Sequence, residues 1–453
     1  MLDLVIRNSR LFTPEGIISG GLGIKSGIIS IISNDSNLPK ADRVIDAKER
    51  LVIPGLFDTH VHFRSPESDI EGFESGSRAA ASTGITTVFD MPGSNPGVIS
   101  SSALSNKVKH LSNSSIVDYG LYAGIGENNL NSVSELSESG AIAFKTFMTP
   151  SASYSVNSDH SLYDLLTRVS KTNLRACFHA ENPDLINFFT DNLQSQDRSD
   201  PMAHPESRPN IVEYESISKI LHLSKSTQTN VHIVHMSTKE GVLLFEAAKK
   251  NDQNVSVETC PQYLVLDQDL MRTHGPHAKI NPPLRTPDDQ AALWRGLQNG
   301  TIDIITSDHA PHPGSSKDLG WDDIWASPPG SPGVEATTPI MLTAVNNGKI
   351  SIERLISVMS TAPAKIFNLF PKKGVLQIGS DADIVILDMK SEYKLQSENL
   401  HTKVKDGFLY DGWKVKGKPI FTIVRGKIVM EDGDVIGKPG WGEFLKPLSS
   451  TSR

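Results

Sequence analysis

Cysteine is scarce: the 453-residue chain has two, Cys177 and Cys260, too few for a disulfide framework. No apolar run approaches the roughly 20 residues needed to span a bilayer, so no membrane helix is expected. The start, MLDLVIRNSR, lacks a basic stretch followed by an apolar core of about 7–15 residues, so no secretory signal is expected either. Positive charge is not in excess. Lys+Arg 44 against Asp+Glu 52 gives a net charge of -8, which argues against a nucleic-acid-coating protein. These absences together imply a cytoplasmic protein with neither membrane nor nucleic acid as partner. Also missing are a solenoid repeat, a low-complexity tract and a G-x-G-x-x-G motif after a strand.

What is present is a well-mixed globular composition. Hydrophobic residues make up 38% and glycine adds 34 residues, enough for a sizeable core. The first 50 residues read as short strands punctuated by Gly and Asn: LDLVIRNSRLF, GGLGIKSGIISIIS, RVIDAKERLVI. The far end reads alike, with DADIVILDM and PIFTIVRGKIVMEDG. The middle alternates β-type runs (ITTVFDMP, VDYGLYAGI, AIAFKTFM, LRACFHAEN, NVHIVHMS, VSVETCP, IDIITSDHA) with helix-compatible stretches such as KEGVLLFEAAKK and PDDQAALWRGLQ. That alternation predicts parallel strands covered on both faces, and a (β/α)₈ TIM-type barrel fits it best; a doubly wound sheet is the alternative. The expected division is a discontinuous β-sandwich from residues 1–53 and 375–440, a barrel over 54–374 and a tail over 441–453 that frays at SSTSR.

Barrel enzymes carry their chemistry at the C-terminal ends of strands, and polar residues end several of these runs. His60 and His62 form H-x-H; strand period puts both imidazoles on one face, a natural chelate for a divalent metal. Two ordinary strand-end histidines are the plain alternative, weakened by the preceding Pro-Gly, by Asp58 and by further histidines. His179 and His235 each follow an apolar run. His232 and His235 form H-x-x-H, which on one strand places them on opposite faces, so only one is expected inside the barrel. Lys145 lies inside AIAFKTFM, where an unpaired ammonium is costly. Either it snorkels at a strand end or its amine takes up carbon dioxide as a carbamate, an anionic ligand able to bridge two metals. Asp308 in TSDHAPH can ligate metal and move a proton, or simply cap a helix. One of His309 and His312 is expected to face substrate.

These residues, in this order, resemble the metal set of the cyclic amidohydrolases: dihydroorotases, allantoinases and hydantoinases (dihydropyrimidinases). The resemblance runs from about Pro54 to the C-terminus and includes IVEYESI and KKGVLQIGSDADIVILD. It implies a barrel with a β-sandwich built from both termini and two zinc ions bridged by a carboxylated Lys145 and a hydroxide. His60 and His62 would hold one metal with Asp308, and His179 and His235 the other. Asp308 would be the catalytic acid–base, acting on a small-molecule substrate, in a homo-oligomer (dimer or tetramer).

Three features resemble dihydroorotases. Arg64 follows H-V-H-F, where that family's arginine binds the substrate carboxylate; Asn281 in KINPPLR and His312 in DHAPH match its substrate residues. Others depart from it. Gly93 in MPGSNP stands where the substrate asparagine is expected, leaving Asn95 to face the site instead; Arg64-Ser65-Pro66-Glu67 replaces R-E-P-G; and ETCPQYLVLD reads like hydantoinases. A guanidinium at a metal site needs an anionic partner, so the expectation is a dihydroorotase of pyrimidine synthesis that interconverts dihydroorotate and N-carbamoyl-aspartate. Allantoinase or hydantoinase is the alternative. An inactive scaffold homologue is disfavoured because all six ligand-type residues are present, and a hydrolase of exocyclic amines or phosphoesters because of Arg64 and NPPLR.

Overall fold

The computed structural model describes residues 1–65, 68–150 and 153–448. Five N-terminal strands come first: β1 (Leu2–Thr13), β2 (Gly16–Lys25), β3 (Ile28–Ser33), β4 (Ala41–Asp46) and β5 (Leu51–Pro54). Eight barrel strands follow: β6 (Leu56–Val61), β7 (Ile85–Asp90), β8 (Asp118–Gly124), β9 (Ala143–Phe147), β10 (Ala176–His179), β11 (Val231–Ile233), β12 (Val255–Thr259) and β13 (Ile304–Ile305). The chain returns through β14 (Ile384–Lys394), β15 (Lys414–Val424), β16 (Lys427–Glu431) and β17 (Asp434–Val435).

The barrel strands pair in sequence order, every neighbouring pair parallel. The ring closes where Val61 bridges His309 and the His62 amide donates to the His309 carbonyl at 2.8 Å. Strands such as ITTVFD are buried at every position, as a sheet covered on both faces requires. The helices between them carry local start and stop signals. Helix 287–299, for example, opens on a Thr286/Asp289 capping box with Pro287 in its first turn and ends at Gly300, which is left-handed at φ +90.

The two ends of the chain form one hydrogen-bonded sheet, joined where β5 pairs antiparallel with β14 and parallel with β1. Its apolar face, including Leu4, Leu22, Ile29, Ile384 and Ile423, makes its own core. The expected terminal β unit is therefore a single nine-stranded sheet among the described residues. Among those residues no helix is long and apolar enough to cross a membrane.

Candidate active site

A cavity of about 510 Å³ opens at the C-terminal ends of the barrel strands. His60, His62, Lys145, His179, His235 and Asp308 all line it, with Arg64, Asn281 and His312 on the same wall. The backbone is shaped for this: Arg64, His235 and Asp308 all hold φ between 40 and 54, in the left-handed region that non-glycine residues rarely adopt. Asp58 fixes the seam of the barrel by accepting from the amides of His60 and Ser307 and from the Thr306 hydroxyl. Asp308 is thereby set facing His60 and His62, with its Oδ1 at 3.2 Å from His60 Nε2 and 3.5 Å from His62 Nε2.

Each pair of imidazoles has a carboxylate behind it. Glu258, at the end of β12, lies 2.6 Å from His60 Nδ1 and leaves Nε2 facing Asp308. Glu181 lies 2.7 Å from His179 Nε2 and leaves Nδ1 at 3.0 Å from His235 Nε2. An imidazole N–H donated to a carboxylate fixes the tautomer and keeps the other nitrogen's lone pair for a ligand. Burial holds the His62 imidazole neutral, its pKa lowered to about 4, and lowers those of His179 and His235. The Asp308 carboxyl stays below its usual range: burial opposes ionisation, but the facing His60 and His62 imidazoles outweigh it. The donor atoms of His60, His62 and Asp308 lie within 4.8 Å of one another, close enough to share a metal ion. Lys145 Nζ is buried without a hydrogen-bond partner, lies 4.9 Å from the Phe147 ring centre and is depressed by burial to about 8. Four imidazoles, a carboxylate and an orphaned amine fit a metal centre.

The family model described as the amidohydrolase family matches residues 51–429. The chain belongs to the amidohydrolase family. It is 35% identical over 452 residues to an L-hydantoinase of Paenarthrobacter aurescens, covering 98% of both chains. It is 38% identical over 450 residues to a dihydroorotase of Pyrococcus horikoshii, covering 98% of this chain and 96% of the other. Further relatives are named allantoinase. The solved L-hydantoinase (dihydropyrimidinase) from Arthrobacter aurescens superposes with a TM-score of 0.95 at 35% identity, covering 98% of this chain and 100% of that one. The amidohydrolase chain described here is thus a cyclic amidohydrolase by its relatives.

Some expectations need correction. Asn95 is exposed and is absent from the cavity wall, because the segment folds back through turns at Pro92. The place beside Gly93 is held by Tyr154, whose hydroxyl lies 3.1 Å from where a Gly93 Cβ would stand. Both His232 and His235 reach the interior, since β11 ends at Ile233 and the left-handed His235 breaks the alternation; His232 meets Glu258 and Ser256, beneath the cavity. Of the two histidines after Asp308, His312 lines the cavity, while buried His309 pairs with Glu71 at 3.1 Å and accepts from the Gly333 amide. Pro66 and Glu67 of the R-S-P-E stretch lie outside the described residues, as do the last five residues of the tail. Sequence reasoning missed Glu181, Glu258, Arg208, Tyr154 and Phe147. Glu181 and Glu258 carried a signal, a carboxylate ending a β-type run.

Behind His235, the Glu213 carboxylate accepts from the Ser237 amide at 3.0 Å. Burial raises its pKa to about 7 from 4.5. The folded state then keeps a proton that the unfolded chain has lost, so this group's cost to stability grows as pH rises from 4.5 to 7, by roughly 3 kcal/mol in all. Glu213→Gln should flatten the pH dependence of Tm across that window, measured by thermal melts at pH 5 and pH 8. Equal slopes for variant and wild type would contradict this.

Proposed function

We propose that the chain hydrolyses the ring amide of a small cyclic ureide, as a hydantoinase does, opening it to an N-carbamoyl acid. The observation that carries this reading is the convergence of His60, His62, His179, His235 and Asp308 around the unpartnered Lys145 amine, in a cavity walled by Phe147, Tyr154 and Ile186. That wall suits a neutral ring with an apolar substituent, and the likeness to hydantoinases along the whole chain supports it. Two zinc ions are the cofactor proposed: His60, His62, His179, His235, Asp308 and Lys145 as its carbamate would hold them, and they would supply hydroxide at neutral pH and a Lewis acid for the ring carbonyl.

The chain's own groups do the rest. Asp308 takes the proton of the attacking water and hands it to the leaving ring nitrogen. Asn281 Oδ1 is buried without a partner and offers an acceptor to a ring N–H. Burial and the neighbouring Arg64 charge lower the His312 pKa to about 3, so it is a neutral hydrogen-bonding group.

Arg64 favours a second reading, the dihydroorotase expected above. Its guanidinium donates to the Pro311 carbonyl and lies 3.2 Å from His312 Nε2. Among the described residues no carboxylate forms a salt bridge with it, which leaves it for an acidic group on the ring.

A substrate panel separates the two: a 5-substituted hydantoin, dihydrouracil, allantoin, dihydroorotate and N-carbamoyl-aspartate, assayed on metal-replete wild type and Arg64→Met. The hydantoin or dihydrouracil is expected to open fastest, with little change in Arg64→Met. Any dihydroorotate activity should show a KM raised about 30-fold in the variant, the cost of one desolvated charge pair of about 2 kcal/mol. Turnover of dihydroorotate alone would establish the second reading, and turnover of no ring would overturn the reaction class.

A further inference from the structure

The carboxylates behind the two imidazole pairs differ in electrostatic state. Glu258 is fully buried and meets His60 Nδ1 at 2.6 Å, His232 Nε2 at 3.1 Å and Thr59 Oγ1 at 2.9 Å. Among the described residues no lysine or arginine forms a salt bridge with it. Glu181 is shared. The oxygen that receives His179 Nε2 at 2.7 Å, its Oε2, is also gripped by Arg208 Nη1 at 2.5 Å. Arg208 belongs to the cavity wall and is partly exposed there, whereas Glu181 is fully buried.

A carboxylate that accepts from a ligand imidazole raises that ligand's basicity, and such partners change metal affinity by roughly 10–100-fold. A guanidinium on the same oxygen offsets the charge that would otherwise reach the imidazole. The donor sets differ in the same sense. Asp308 adds an anionic oxygen beside His60 and His62, and among the described residues no carboxylate completes a comparable group with His179 and His235.

We propose that the two halves of the centre hold metal unequally, that the His179/His235 half exchanges readily, and that Arg208 sets this lability as a positioning residue acting through Glu181. The proposal rests on the metal reading above but goes beyond it. It states which half empties first and which residue, itself no ligand, decides it.

The test is chelator competition on zinc- and bicarbonate-reconstituted protein, with zinc per chain read by elemental analysis. Wild type should release zinc in two steps with a plateau near about one per chain. His235→Ala should keep the plateau metal and His62→Ala should lose it. Arg208→Met should hold the first-released zinc to chelator concentrations roughly tenfold higher or more. Arg208→Lys, which keeps the charge, should behave as wild type, and Glu181→Gln should release its first zinc earlier. Arg208→Gln, neutral and polar, carries the same expectation as Arg208→Met if that variant does not fold. Release of both metals in one step, or a first step unmoved by Arg208→Met, or by Glu181→Gln, overturns the proposal. A wild type that takes up no zinc overturns the metal reading itself, a result distinct from one-step release.

Discussion

Lys145→Ala should abolish turnover, and added formate, acetate or propionate should restore part of it. Lys145 Nζ is buried and without a hydrogen-bond partner in the wall of the cavity. As an ammonium it cannot ligate, and it would be repelled by any cation held by the histidines around it. Burial outweighs the opposing charges of Glu258 and Asp308 and leaves its pKa at about 8, so a useful fraction is free amine near neutral pH. A free amine can attack carbon dioxide: the N–C bond would form, one proton would leave to solvent, and the side chain would end in a carboxylate in place of the amine. Alanine would remove that carboxylate and leave room for a small acid in its place. The expected loss is roughly 10³-fold in kcat, the scale on which groups that organise transition-state charge matter. Product formation and zinc per chain, measured side by side, check it. Alanine protein active within tenfold of wild type, or normal zinc content with no response to any acid, would rule out the carbamate.

Much of this site was legible because strand geometry is a strong constraint. His60 and His62 lie two apart on a run that ends at a barrel mouth, so their shared face follows from the pleat alone. Lys145 and Asp308 were visible as polar residues inside or ending apolar runs. The barrel itself followed from alternation. What was not legible depends on chain reversals that period cannot encode. Asn95 points outward because its segment turns, and His235 points inward because its backbone is left-handed. Arg208 comes from a loop between helices rather than a strand end, so nothing in its surroundings marked it. Tyr154 reaches the cavity only because Gly93 and Gly124 leave space for its side chain. The pairing of β5 with β14 joins residues more than three hundred apart, a contact no local pattern shows.

The largest effect on stability should come from the face opposite the cavity, with Lys373→Met. Asp118 opens β8, at the N-terminal end of the barrel, and Asp381 and Asp383 immediately precede β14 of the terminal sheet. The three carboxylates are grouped closely enough to hold a metal, but the Lys373 ammonium is already the cation among them. Its Nζ lies 2.7 Å from Asp118, 3.1 Å from Asp381 and 2.5 Å from Asp383, and its side chain is wholly buried. Arg425 adds a second cation at 3.1 Å from Asp118 and donates its amide to Asp383 at 2.8 Å. The cluster therefore ties barrel to sheet through charges that water does not screen. Methionine matches the lysine in length but leaves Asp383 with no cationic side chain against it among the described residues, and removing one partner of a buried ionic group costs about 3–5 kcal/mol. The sign with pH is also fixed. Burial, with the charges of Asp118 and Asp381, already raises the Asp383 pKa against the pull of Lys373. Without the ammonium it rises further, so the variant's deficit is fully present above that raised pKa and shrinks as acid protonates the carboxyl. Denaturant melts at pH 8 and pH 5 should show the variant much less stable than wild type at the first and closer to it at the second. The candidate active site lies at the other end of the strands, so kcat of the folded variant should match wild type. A deficit independent of pH, or one below about 1 kcal/mol, would mean that burial of these groups is relieved by water and that the cluster does not hold the two parts together.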